Sequence, residues 1–205
     1  MPNSNVKSRT LKLAKMALMT AVAVICSLVH FPILPAAPFL EFEVSDIPIL
    51  IAGFVFGPLP GLIIGVVAIL LHDLMLGPSS GPYGMIMHII AAGVFVFISA
   101  AIYQKLKSRE WKLFSLKIGS LCMLQGQFYP PISGLFSLII GGLCMTAAMI
   151  PANLIVTPLF MGVPLAAVQQ MLIPVILPFN LLKMAINTAV VFLLYKRLSP
   201  FLHKW

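Results

Sequence analysis

Apolar residues run through this chain in blocks broken by prolines, glycines and clusters of basic residues. Six blocks read as helices, at about 11–31, 47–58, 60–77, 84–104, 135–157 and 178–198. Most approach the roughly 20 residues that cross a bilayer as helix. The second is short and is separated from the third only by Gly57-Pro58-Leu59-Pro60. That spacing predicts a tight turn between two spans, one of them half-length or tilted.

Polar positions set the orientation. Lys7, Arg9, Lys12 and Lys15 precede the first block, Lys105, Lys107, Arg109, Lys112 and Lys117 follow the fourth, and Lys196, Arg197 and Lys204 follow the sixth. The segments after the first, third and fifth blocks carry no Lys or Arg. Basic residues in short loops stay cytoplasmic. Four spans separate the first two clusters and two separate the last two, so both termini and the 105–117 loop share the cytoplasmic side.

Composition agrees. The 205 residues are 60% hydrophobic and 9% charged, with a mean hydropathy of +1.07, whereas soluble domains carry about 25% charged residues. The expected fold is an all-α integral membrane protein, a single transmembrane domain over 1–205 with six helices, multi-pass in the cell membrane. The net charge of +8 lies at the membrane flanks, which excludes a nucleic-acid partner and leaves the lipid bilayer as the surroundings. No small-residue cleavage site follows the first apolar run, so it reads as a retained span. Cys26, Cys122 and Cys144 have no metal-ligand spacing and read as small hydrophobes. There is no G-x4-G-K-[ST] and no H-E-x-x-H, so neither ATP hydrolysis nor metalloprotease chemistry is expected of this chain.

One segment disturbs the pattern. Residues 114–123 recur at 136–145 with eight identities in ten, a local tandem duplication. Lys117 and the Gln- and Pro-rich stretch at 125–131 leave too little apolar length for a seventh span, so 112–134 reads as an interfacial or re-entrant extension.

Twelve of the thirteen cations fall in the three clusters. The thirteenth, Lys183, stands in an apolar block, where a charge costs roughly 2.5–3.5 kcal/mol on insertion scales. At 100° per residue Asn180, Lys183 and Asn187 share one helix face, and Asn153 and Thr157 share another. Both stripes lie toward the outer half. They fit either interhelical hydrogen bonds or the wall of a ligand cavity; an ammonium among amides, in a chain with five acids, favours the cavity. The stretch 31–46 has three prolines in seven residues and three of the five acids. It reads as a lid over a binding site, or else as a lipid-facing interfacial loop, and 77–84 is a candidate second lid. His72, Asp73 and His88 invite a proton-relay or metal reading, but with so few acids polar lining is favoured. Small residues at a four-residue period, Ala17 with Ala21 and Gly57, Gly61 and Gly65, suit close helix packing, either inside the bundle or against another subunit.

These residues resemble a known family, the substrate-binding S components of energy-coupling factor (ECF) vitamin transporters, and in particular its riboflavin-binding branch. The likeness is carried by Pro35-Ala-Ala-Pro-Phe-Leu40, Ser45-Asp46-Ile47-Pro48, Phe54-x-Phe-Gly-Pro58, Gly81-Pro-Tyr-Gly84 with Met87-His88, Ile150-Pro-Ala-Asn153 with Thr157-Pro158, and Pro178-Phe-Asn-Leu-Leu-Lys183. It implies the six-helix S-component fold and high-affinity capture of riboflavin from outside, with no catalysis and no cofactor beyond that transported ligand. It implies that Asn153, Asn180 and Lys183 face the flavin, joined on the residue reading by Thr157 and Asn187. The first loop would cover the ligand through Ala36, Ala37, Phe39, Leu40 and Glu41, with Gly84 and His88 beside it. Ala17 and Ala21 would dock on the ECF transmembrane coupling subunit, and two ATPase subunits would supply the power. The 112–134 segment departs from the family pattern. The alternatives are an S component for another vitamin or precursor, and an ion-coupled secondary transporter.

Overall fold

The computed structural model describes residues 4–35, 37–77, 81–117 and 131–202. Among these, seven helices and one small hairpin follow in order: α1 (Ser4–Ser27), β1 (His30–Pro32), β2 (Glu41–Glu43), α2 (Asp46–Phe56), α3 (Pro58–Leu76), α4 (Gly81–Lys117), α5 (Pro131–Met161), α6 (Leu165–Met171) and α7 (Leu177–Leu202). A π turn over Leu172–Ile176 joins α6 to α7 without a break. Five helical stretches are long and apolar enough to cross a bilayer, and α2 is a shorter apolar helix. Six membrane-embedded helices therefore stand, as the hydropathy pattern predicts.

The short helix is the centre of the bundle. Nine consecutive residues, Asp46 to Phe54, are buried, as befits a helix apolar all round. It packs on α1, α3, α4 and α7. Gly57 turns the chain back with φ of 108°, a left-handed conformation that a Cβ disfavours. The helices on either side then meet at glycines. A Cβ on Gly61 would lie 2.5 Å from the Gly53 Cα, and one on Gly65 would lie 3.0 Å from Ile49. Gly61 and Gly65 are thus internal packing between α2 and α3, and Gly57 faces Gln104 of α4.

With 11 residues α2 is about 16 Å long, whereas the 19 residues of α3 return about 28 Å. The head of α2 therefore lies well below the outer end of α3, and the chain from α1 must descend into the bundle to reach it. It does so as the hairpin, with His30 opposite Glu43, Phe31 opposite Phe42 and Pro32 opposite Glu41.

Four local expectations change. The first connection contains strands: Glu41-Phe42-Glu43 alternates with the period of a strand and buries Phe42 at 3% exposure while Glu41 and Glu43 face the other way. Helix α4 continues beyond 104 to Lys117 and α1 begins at Ser4, because helicity outlasts hydropathy where no glycine or proline intervenes. Residues 112–117 continue α4 rather than forming a separate element, and 131–134 open α5; the remainder of the duplicated segment, 118–130, lies outside the described residues. The last span begins upstream of 178, since the π turn accommodates Pro174, which has no N–H to donate.

The α2–α3 contact predicts that Gly61→Val, which would press on backbone atoms, destabilises the protein by about 1–3 kcal/mol. Its thermal transition in detergent should fall by several degrees. Gly93→Ala, which meets only the tip of Leu62, should leave the transition close to wild type, and an unaltered Gly61→Val would contradict the close approach.

Candidate functional site

The cavity follows from the shortness of α2. Helices α1, α3 and α5 end, and α4 and α7 begin, at the end of the bundle where the hairpin descends, and a cavity of about 390 Å³ remains between them. Its wall draws on His30, β2, the last turns of α3 and α5 and the first turns of α4 and α7. The basic clusters at the start of α1 and near the ends of α4 and α7 belong to the opposite end. By the distribution of Lys and Arg the cavity faces outward.

The two polar stripes meet in its floor. Asn153 (1% exposed), Thr157, Asn180 (2%) and Lys183 (6%) are buried in the packed structure and line the cavity. Each asparagine is held by its own helix: Asn153 Nδ2 donates to Met149 O at 2.8 Å and Asn180 Nδ2 to Ile176 O at 2.8 Å, the latter at the last residue of the π turn. Thr157 Oγ1 donates to Asn153 Oδ1 at 3.0 Å. Apolar and aromatic side chains complete the lining, with Phe39 from the first connection, Phe160, Phe179, Met87 and Met149. Over the mouth, Phe160 is flanked by Phe39 and Tyr83, each with ring centroids 6.3 Å from it. The first connection thus packs against α5 through Phe39 and reaches α4 through Glu43 and His88.

Lys183 is not without a counter-ion. Its Nζ lies 3.0 Å from Asp46 Oδ2, at the head of α2. The other oxygen of Asp46 faces His88 Nε2 at 3.1 Å, and His88 Nδ1 lies 2.8 Å from Glu43 Oε1 on β2. Both imidazole nitrogens face carboxylates, and both donate only when the ring carries two protons. Two anions and two cations then balance within one buried network. Asn187 Nδ2 adds a bond to Asp46 Oδ2 at 3.2 Å. Glu43 lies in the hairpin: burial pushes its carboxyl up, but the charge and hydrogen bond of His88, with Lys183 behind it, outweigh burial and hold it below the usual carboxylate value.

The expected site residues thus fall into three groups. Lys183, Asn180, Asn153, Thr157, Phe39, Leu40, Glu41, Gly84 and His88 all line the cavity. Asn187 and Ala37 do not: Asn187 sits beneath Asp46 on the α7 face, and Ala37 is fully buried within the lid, where its N–H closes a turn on Leu34 O at 3.0 Å. Ala36 lies outside the described residues, as do 78–80 of the candidate second lid. Sequence reasoning missed Glu43 and Asp46 as site residues; the signal was there in the three acids crowded into the first loop. It also missed His30, whereas His72 and Asp73, read as polar lining, do line the cavity; the rings of His30 and His72 stand 5.8 Å apart.

Comparison with known proteins gives a consistent picture. A riboflavin transporter, RibU, from Staphylococcus aureus (strain TCH60) is 29% identical over 200 residues, covering 94% of this chain and 93% of the relative. The riboflavin transporter FmnP of Bacillus subtilis (strain 168) is 25% identical over 201 residues, 94% of each chain. A solved structure of the S component of a bacterial ECF transporter superposes on 95% of this chain and 98% of its own, with a TM-score of 0.72 and 28% identity. Residues 11–195 match the family described as ECF transporter, substrate-specific component, and with nearly the whole chain so matched, this protein belongs to that family of multi-pass membrane proteins.

Proposed function

We propose that this chain captures riboflavin from the outer side of the cell membrane and presents it, unchanged, to an ATP-driven ECF importer. The observation that carries the reading is a lining that combines the buried polar side chains of Asn153, Asn180 and Lys183 with aromatic and Met side chains, Phe39 of the first connection among them. Riboflavin has a flat ring with amide-like donors and acceptors on its rim and a hydroxylated tail. Asn153, Asn180 and Lys183 suit the rim, and Lys183 keeps two of its three protons beyond the one directed at Asp46. The Phe and Met side chains suit the faces of the ring. The cavity volume falls in the range of small-molecule sites. The names of the two full-length relatives point the same way.

The power source is supplied by partners, a membrane coupling subunit and two ATPase subunits. Helix α1 is the least buried of the five long spans, and both Ala17 and Ala21 are exposed on it. A small-x3-small pair exposed to lipid lets a partner helix approach closely, so this is the face assigned to the coupling subunit.

Purified protein in detergent should quench riboflavin fluorescence saturably at submicromolar concentration. Absence of quenching, or tighter binding of another vitamin in the same competition assay, would reject riboflavin as the ligand. Replacing Ala17 and Ala21 together by Trp should abolish co-purification with the coupling subunit while leaving that quenching intact. Retained co-purification would remove α1 from the docking face, and uptake by the chain alone in liposomes under a proton or sodium gradient would contradict ATP-driven transport.

A further inference from the structure

The charge network has a member that does not touch the cavity. Glu43, His88 and Lys183 all line it, but Asp46 does not, and at 2% exposure it lies behind them. Both of its oxygens are used: Oδ1 faces His88 of α4, and Oδ2 faces Lys183 and Asn187 of α7. Through His88 the same carboxylate is linked to Glu43 on the second lid strand. Four elements that diverge in sequence (β2, α2, α4 and α7) are therefore joined at one side chain. Charged donors and acceptors at these distances hold geometry more strongly than neutral ones do. An acid in a protein interior is retained only when it is fully paired.

We propose that Asp46 is the positioning residue of this site: it aims the Lys183 ammonium at the ligand and, through His88, fastens the lid strand that carries Glu43. Closure of the lid and orientation of the principal donor are then one event. Loss of the Asp46 charge would free the Lys183 chain to swing and would leave His88 tied to Glu43 alone, so that the lid opens more often and the ligand leaves faster. Association, which depends on the lid already opening, would change less than dissociation. The ligand-dependent part of this inference rests on the riboflavin reading; the fastening of the lid does not.

The test is a double-mutant cycle read together with hydrogen exchange. Asp46→Asn keeps shape and removes charge. It should speed riboflavin dissociation, followed by recovery of flavin fluorescence, by about tenfold or more, while in a Lys183→Met background the same change should add less than about twofold. In ligand-free protein, amide exchange of residues 30–44 should rise by about tenfold in Asp46→Asn. Should that variant fail to fold, Glu43→Gln carries the test, with faster exchange in the same segment. If wild-type protein binds no riboflavin, the functional reading falls and the exchange measurement still decides the fastening. Unchanged exchange in the hairpin, or a dissociation effect that adds fully to that of Lys183→Met, would overturn the proposal.

Discussion

A buried ammonium facing a buried carboxylate, Lys183 against Asp46 at 3.0 Å, is the constraint around which this bundle is arranged. Within the span of a membrane neither charge is tolerated alone, and a pair of this kind adds little net stability compared with apolar packing. What it does is fix register. For Asp46 to reach Lys183, α2 must begin deep in the bundle, which makes it short; for α1 to reach α2, the intervening chain must descend, which makes the hairpin. The space above that short helix is the cavity. With Glu43 and His88 the pair forms one network of four ionisable side chains in and behind the cavity wall.

The division between what sequence shows and what it hides follows from the same physics. Bilayer thickness dictates span length, so the helices were legible, and loop charge dictated the orientation. Helical period placed Asn180 with Lys183 and Asn153 with Thr157, and all four line the cavity. Asn187 shares the α7 face but lies one turn deeper, against Asp46, because period gives direction around a helix and not depth relative to a neighbour. The pairing of Asp46 with Lys183 joins segments far apart in sequence, and no local pattern encodes it. Two other features were hidden for local reasons. Prolines in 32–38 masked the period-two alternation of Glu41-Phe42-Glu43, and Pro174 reads as a helix breaker where a wider turn carries the helix through.

The family to which the chain belongs is the substrate-specific component of ECF transporters, and the fold divides into two parts of different rigidity. The core of α2, α4 and α5 is built from close-packed residues such as Ile49, Phe95, Tyr103 and Leu138, and it holds the floor of the site in place. The first connection, by contrast, is held through a two-stranded hairpin, the Phe39–Phe160 ring contact and the ionic link from Glu43. Such an arrangement sets a closely packed core apart from a more lightly attached connection, as the proposed role of the connection as a lid requires. Helix α1 is little buried and exposes Ala17 and Ala21, so the proposed docking of a partner there would disturb neither.

The central claim, that the paired lysine and the asparagines around it form the recognition floor for a flavin, is tested most directly by a structure determined with riboflavin bound. The ring should lie in the cavity with its polar rim within hydrogen-bond distance of Lys183 and of Asn153 or Asn180, Phe39 closed over it, and the Asp46–Lys183 pair intact. A flavin located elsewhere, or one bound in the cavity with Lys183 turned away from it, would contradict the account.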